Sequence, residues 1–200
     1  MWSKLALVEI LVVGYLITSL YGWYAIIPPL LLLLTVMRFP KLREKEKQNM
    51  YDSRIIETNI IIGTAICGIV AITGWRKEFF MIYGTCYAMH LIVNTYVRLK
   101  FYCEMSEYKS LILSIIKGIL CVFIPSLIIQ KCIFGEFGDV SMLIVMGISM
   151  VISAFLIDYE KKDVKKEEIL VSNGYLHMAI VLALTVMLGI SQFLIINCKF

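Results

Sequence analysis

The sequence predicts an all-α integral membrane protein: a single bundle of six or seven transmembrane helices with no separate soluble domain. Its 200 residues are 60% hydrophobic and 17% charged, whereas soluble chains carry roughly 45–50% apolar and about 25% charged residues. Long apolar runs alternate with short charged stretches, and most of the basic residues lie in three of those stretches. This composition excludes a free soluble enzyme, a nucleic-acid-binding module and a disordered segment.

The apolar runs give the predicted helices in order, since about 20 apolar residues cross a bilayer core. The runs cover residues 4–21, 24–38, 55–75, 79–97, 110–130, 141–158 and 169–196. The second run contains Pro28 and Pro29, which fit the first turn of a helix and destabilise its interior. A helix that starts at Pro28 has only about 12 residues left, or about 18 Å. This run is therefore expected either to span or to re-enter as a short, tilted segment, which leaves the choice between six and seven spans open.

The distribution of basic residues predicts the orientation. Together with Lys4, the charged stretches 38–54, 98–109 and 159–168 hold fourteen of the nineteen lysine and arginine residues. Loops rich in Lys and Arg stay in the cytoplasm, so these three stretches are predicted to be cytoplasmic. With seven spans the amino terminus is cytoplasmic and the carboxyl terminus extracytoplasmic. We expect a multi-pass protein of a prokaryotic plasma (inner) membrane, and the net charge of +4 reflects this topology rather than a nucleic-acid partner.

Polar side chains inside the apolar runs form the candidate site. Such groups are costly in a bilayer, so they usually face the bundle interior and often mark function. The predicted topology places most of them in one layer on the cytoplasmic half: Glu9, Glu57, His90, Asn94, Lys117, Ser149, Ser153, Asp158 and His177. Three interpretations are open. The layer fixes helix packing, lines a water-filled path open to the cytoplasm, or forms a catalytic site.

Lys117 is the most informative member of this layer. A lysine within a membrane helix either extends to the interface or pairs with a carboxylate. The expected partners are Glu9, Glu57 and Asp158. On the 79–97 run a second pattern occurs: Cys86, His90 and Asn94 are spaced four residues apart and share one helix face.

A catalytic alternative rests on two arrangements. His90 and Asn94 on one run, a Gly-x-Ser motif ending at Ser149 on a later run and His177 on the last one resemble rhomboid intramembrane serine proteases. That resemblance implies Ser149 as nucleophile, His177 as its base, and His90 with Asn94 at the oxyanion. The chain departs from that family because no further span separates Ser149 from His177, and because Met150 replaces the glycine after the serine. We do not assign the chain to the family.

The cysteines suggest one further enzymatic arrangement and one disulfide. Cys86 lies one turn before His90, a thiol and an imidazole that a peptidase could use. None of the six cysteines forms a Cys-x-x-Cys pair, so no metal site or cofactor is expected. Cys132 and Cys198 fall on the extracytoplasmic side of the seven-span topology. They would form a disulfide if that side is oxidising, and remain two thiols otherwise.

The sequence favours a non-enzymatic function. We expect the membrane subunit of a larger assembly, either a small pore or transport component or a membrane-anchored effector or sensor that acts through its basic cytoplasmic loops. The expected partners are membrane lipid and either further copies of the chain or a protein on the cytoplasmic side. The alternative is an intramembrane hydrolase or peptidase that uses Ser149 with His177, or Cys86 with His90.

Overall fold

The computed structural model of the chain describes residues 4–37, 79–137, 144, 147, 148 and 150–152. Within these residues all regular structure is helical and no strand occurs, so the predicted all-α class is confirmed for this part of the chain. Residues 55–75 and 169–196 of the predicted helices lie outside it. So does most of 141–158, although the described residues between 144 and 152 are helical.

The first two helices are separated by a glycine turn. Helix α1 covers Lys4–Tyr21, a 3₁₀ turn covers Trp23–Ile26, and α2 covers Ile27–Met37. Between α1 and the turn, Gly22 has φ +84°, a conformation that side chains with a Cβ rarely adopt. The two prolines follow directly in the first turn of α2, where the missing N–H groups are not needed.

A third helix, α3, covers Phe79–Val97 and is called the central helix below. It continues into a π-helical turn at Arg98–Tyr102. The amide of Cys103 donates to the carbonyl of Arg98 at 3.1 Å and closes this turn. The chain then reverses over residues 103–106, where Glu104 has φ +53°.

The next helix is the longest of the described part and is called the long helix. It consists of α4 at Glu107–Gly118, a π turn at Ile119–Phe123 and α5 at Ile124–Phe134. Pro125 explains the π turn, because a proline ring collides with the carbonyl four residues earlier in a regular α-helix, and a wider turn there separates the two groups. The helix ends at Gly135, whose φ of +78° is left-handed and whose amide donates to the carbonyl of Lys131 at 2.8 Å.

The central helix and the long helix form an antiparallel hairpin. Their far ends meet where the rings of Phe80 and Phe134 lie 6.5 Å apart. Their near ends meet where the ammonium of Lys100 lies 3.7 Å from the carboxylate of Glu107. Helix α2 packs against the central helix and against the part of the long helix that follows Gly118. The core of the described part therefore surrounds the central helix.

One described helix, Glu107–Phe134, is long and apolar enough by length and composition to cross a membrane. Its 28 residues extend over about 42 Å, beyond the roughly 30 Å of a bilayer core. The described residues thus do not support the expected six or seven spans; they supply one candidate. This single helix is a weak indication of membrane association by itself.

Candidate functional site

The inward face of the long helix carries mostly small and polar side chains, with Val122 and Phe123 as its buried apolar residues. Residues at every fourth position are buried there: Ser110, Ser114, Gly118, Val122, Ser126 and Gln130. Positions four apart lie on one face of an α-helix, so these residues form one stripe along the whole helix. We call it the seam, because it is the surface that meets the central helix.

The serines of the seam bond to their own helix. The hydroxyl of Ser110 donates to the carbonyl of Ser106 at 3.1 Å, that of Ser114 to Leu111 at 2.8 Å, and that of Ser126 to Val122 at 2.7 Å. Serine satisfies its hydroxyl in this way within a helix. The three hydroxyls therefore need no partner across the seam, and their small size is what the neighbouring helix meets.

Two glycines bring the helices into close approach. A Cβ on Gly84 would overlap the side chain of Ser126, and a Cβ on Gly118 would overlap Ile92 and lie 2.9 Å from the carbonyl oxygen of Ala88. Small residues at such positions allow two helix backbones to pack closely. The seam is consequently closed at both levels, with no room there for a ligand or a file of water.

The outward face of the long helix differs from the seam in the type of side chain that it carries. Most of its exposed residues are large and apolar: Tyr108, Ile112, Leu113, Ile116, Leu120, Ile124, Ile128 and Ile133. The other exposed residues, Glu107, Lys109, Lys131 and Cys132, lie near the two ends. Helices α1 and α2 also expose large apolar side chains, among them Leu11, Leu20 and Leu34. Exposed large apolar side chains in such number are typical of a surface that contacts a membrane or another protein.

The central helix is buried on all sides. Every residue from Phe80 to Val93 is buried, including the polar Thr85 and His90. The rings of Tyr83 and Tyr87 meet edge to face, with centroids 4.9 Å apart. The hydroxyl of Thr85 donates to the carbonyl of Met81 at 2.7 Å. This helix therefore encloses polar as well as apolar side chains, and it is the best-enclosed element of the hairpin.

The structure places four of the predicted site residues. Cys86 and His90 are buried one turn apart on the central helix, and Asn94 follows, half-buried, one turn later. Lys117 is half-buried in the last turn of α4, next to Gly118 of the seam. The antiparallel register sets Gly118 beside Ile92, so Lys117 and His90 lie at a similar height in the hairpin. The two helices that carry these four residues therefore lie side by side. The functional roles predicted for the four residues stay predictions.

The other predicted positions lie outside the described residues. These are Glu57, Ser149, Ser153, Asp158, His177 and Cys198, and the side chain of Glu9 belongs with them although its backbone is part of α1. The pairs Ser149–His177 and Cys132–Cys198 stay predictions, as do the carboxylate partners of Lys117. Cys132 itself is exposed near the end of the long helix. Among the described residues no three His, Cys, Asp or Glu side chains are grouped so as to hold a metal ion.

Sequence reasoning missed the seam. Its pattern of a small or polar residue at every fourth position from Ser110 is visible in the sequence, but no expectation was drawn from it. Buried polarity also reaches further than the predicted cytoplasmic layer, because Ser126 and Gln130 are buried in the half of the hairpin that ends at Gly135.

Comparison with known proteins gives no match, whether to protein-family models, to curated proteins or to solved structures.

Proposed function

We propose that the chain is a multi-pass membrane-embedded helical bundle that serves as a non-enzymatic membrane subunit of a larger assembly. The observation that carries the proposal is the orientation of the long helix. It buries its small and polar stripe and exposes seven of its twelve isoleucines and leucines, while the other five are half-buried against the core. In water a surface helix does the reverse, with its apolar stripe toward the core. In a bilayer, helices pack through small residues while large apolar side chains face the lipid.

The remaining spans follow from the sequence pattern. The exposed apolar residues of α1 and α2 would face lipid in the same way as those of the long helix. The runs 55–75, 141–158 and 169–196 each have 18 residues or more and are mostly apolar, which is enough for a membrane helix. The basic stretches then lie in the cytoplasm, and the two ends of the long helix lie on opposite sides of the membrane.

A structural role is favoured over a catalytic one in the described part. The seam is closed by Gly84 and Gly118, and the buried serines are satisfied by their own helix. Cys86 and His90 are also buried, so neither side chain is exposed to a substrate in the described part. The hairpin therefore serves best as a rigid scaffold for an anchor, effector or transport component, whose partners would be further copies of the chain or a protein that binds the cytoplasmic loops.

Three native cysteines test the membrane crossing. Cys103 lies in the turn before the long helix, Cys121 in its middle and Cys132 near its end. Three variants each retain one of them, with the other five cysteines replaced by alanine, and are treated with a membrane-impermeant maleimide in intact bacterial cells. We expect Cys132 to react from outside, Cys103 to react only after the membrane is opened, and Cys121 to resist in both conditions.

Two results would contradict the crossing. Equal reaction of Cys103 and Cys132 in intact cells would place both ends of the long helix on one side. Fast reaction of Cys121 in opened membranes would put water around the middle of the helix, as in a soluble bundle. The same variants, solubilised in mild detergent and run on a native gel, test the assembly: migration at the mass of a single chain would contradict it.

The enzymatic alternative is tested in the original host by deletion and complementation. Variants Ser149→Ala, His177→Ala, Cys86→Ala and His90→Ala are compared with the unaltered chain for membrane accumulation, native-gel mass and rescue of the deletion. If the chain is a non-enzymatic subunit, each variant should rescue the deletion to the extent that it accumulates in the membrane and assembles. Normal accumulation and assembly with lost rescue in both Ser149→Ala and His177→Ala would favour the hydrolase instead.

A further inference from the structure

The two ends of the hairpin each hold a lysine beside an aromatic ring, and the two lysines differ in their partners. Lys100, at the turn end, donates to the Tyr96 hydroxyl at 2.9 Å, lies 5.4 Å from the centre of that ring and 3.7 Å from the Glu107 carboxylate. It is also mostly buried, with 19% of its side chain exposed. The charge of Lys100 is therefore satisfied by the protein.

Lys131, at the Gly135 end, is exposed and has a different set of contacts. Its ammonium lies 4.4 Å from the centre of the Phe137 ring, and it forms no ion pair with any described residue. The ring of Phe137 is itself exposed, and so is Ile133 one turn away on the helix. An exposed cation, an aromatic ring and an apolar helix end thus lie together where the helix stops.

We propose that Lys131 and Phe137 bind the anionic headgroup of a membrane phospholipid, and that this contact holds the Gly135 end of the long helix at the headgroup level. The inference rests on the proposed membrane location. Lysine near the end of a membrane helix extends its ammonium to the interface, and aromatic rings concentrate at the same level. The phosphodiester supplies the anion that Lys131 lacks within the described protein, while the Phe137 ring packs at the glycerol level beside it.

The spacing along the helix supports this position. If Lys131 marks one boundary, the roughly 30 Å core ends about 20 residues earlier, at Leu111. The exposed Tyr108 and Lys109 come just before that point, so they lie at the opposite interface together with the Lys100 cluster. Cys121, ten residues before Lys131 in the sequence, falls at the bilayer centre. Both boundaries thus meet a lysine and a tyrosine or phenylalanine.

The experiment uses the full chain reconstituted into phosphatidylcholine vesicles with and without phosphatidylglycerol. An environment-sensitive fluorophore is attached to the Cys132-only chain, next to Lys131, or to the Cys121-only chain. Quenching is measured with lipids labelled at the headgroup and at the acyl-chain end. We expect headgroup quenching at Cys132 that rises with phosphatidylglycerol. In Lys131→Gln the ratio of headgroup-quenched to water-exposed probe should fall by about fivefold, the factor for one lysine at an anionic surface.

Controls separate this inference from the membrane location. Lys109→Gln, a second exposed lysine at the other end, should leave the Cys132 ratio unchanged. The Cys121 probe should be quenched at acyl-chain depth in all variants, and loss of that quenching would overturn the membrane proposal itself. Acyl-chain quenching at Cys121, combined with a Cys132 ratio indifferent to phosphatidylglycerol and to Lys131→Gln, would overturn the lipid contact alone.

Discussion

The central helix and the long helix lie side by side and use their residues in opposite ways. The central helix contains Thr85, His90 and three tyrosines, and every residue from Phe80 to Val93 is buried. The long helix is the more apolar of the two by the criterion for crossing a membrane, yet only a third of its most apolar stretch is buried. In a water-soluble fold the most apolar helix belongs in the middle.

In this molecule, therefore, the more apolar of the two helices is not the more buried one. The long helix hides serine and glycine because small residues permit close packing, and it exposes isoleucine and leucine because its surroundings, as proposed here, are lipid. The central helix buries the hydroxyl of Thr85, which donates to the Met81 carbonyl, as buried polar groups usually do. Substitutions on the outward face and in the seam should therefore have different effects.

The largest effect is expected from a charge on the outward face. Leu120 is 59% exposed near the middle of the long helix. In water Leu120→Asp would change stability by less than about 0.5 kcal/mol, whereas an aspartate at the centre of a membrane helix costs about 2.5–3.5 kcal/mol. We expect a strong loss of membrane-inserted protein, measured by alkaline extraction of membranes. Tyr108→Asp, at the end of the helix, is the control and should insert nearly as the parent does; equal insertion of both variants would argue against lipid around Leu120.

The seam should respond to an added methyl group. Gly118→Ala places a Cβ against Ile92 and the Ala88 carbonyl, and overpacking of this kind costs about 1–3 kcal/mol. Gly147→Ala is the matched control, because that glycine is also helical and a Cβ there meets nothing within 4 Å. Thermal unfolding in detergent should show a lower midpoint for Gly118→Ala and an unchanged or higher one for Gly147→Ala, since alanine favours helix. Equal midpoints would mean that the helices are not in contact at Gly118.

The sequence predicted the helices better than their arrangement. The runs 79–97 and 4–21 coincide with helices Phe79–Val97 and Lys4–Tyr21, because local composition and the charged or glycine residues that follow them determine where such helices end. The long helix extends beyond its predicted run 110–130 at both ends. Its first turn contains Glu107, and its end is set by Gly135 in a left-handed conformation, a backbone feature that the apolar run does not contain.

The candidate site was harder to predict, for a physical reason. Apolar runs show which segments leave water, but the choice of inward face depends on which neighbour a helix meets. The close contact between Gly84 and Ser126 joins residues 42 positions apart in the sequence, so no local sequence pattern predicts it. The predicted layer around His90 and Lys117 rests on the free-energy cost of polar groups in lipid. This criterion does not select small residues such as Ser114, which is buried where the long helix meets the central helix.

A smaller and more specific effect is expected from exchanging the residues of one close contact. Gly84→Ala alone should destabilise, because its Cβ overlaps the side chain of Ser126. In Gly84→Ala with Ser126→Gly, the obstructing side chain is gone and the nearest remaining atom is the Ser126 Cα at 3.8 Å. A double-mutant cycle in detergent should therefore give a favourable coupling of about 0.5–3 kcal/mol. Additive effects of the two substitutions would contradict the contact.

The smallest effect is expected at the turn end of the hairpin. Lys100→Gln removes the ion pair with Glu107 and the charge near the Tyr96 ring, and interactions of this kind at partly exposed sites contribute about 0–1 kcal/mol each. The midpoint of thermal unfolding should fall only slightly, and less than in Gly118→Ala. Because Lys100 is already satisfied within the protein, its loss should also leave the labelling of Cys132 unchanged. A drop as large as that of Gly118→Ala would show that the charged end, rather than the close-packed seam, holds the hairpin together.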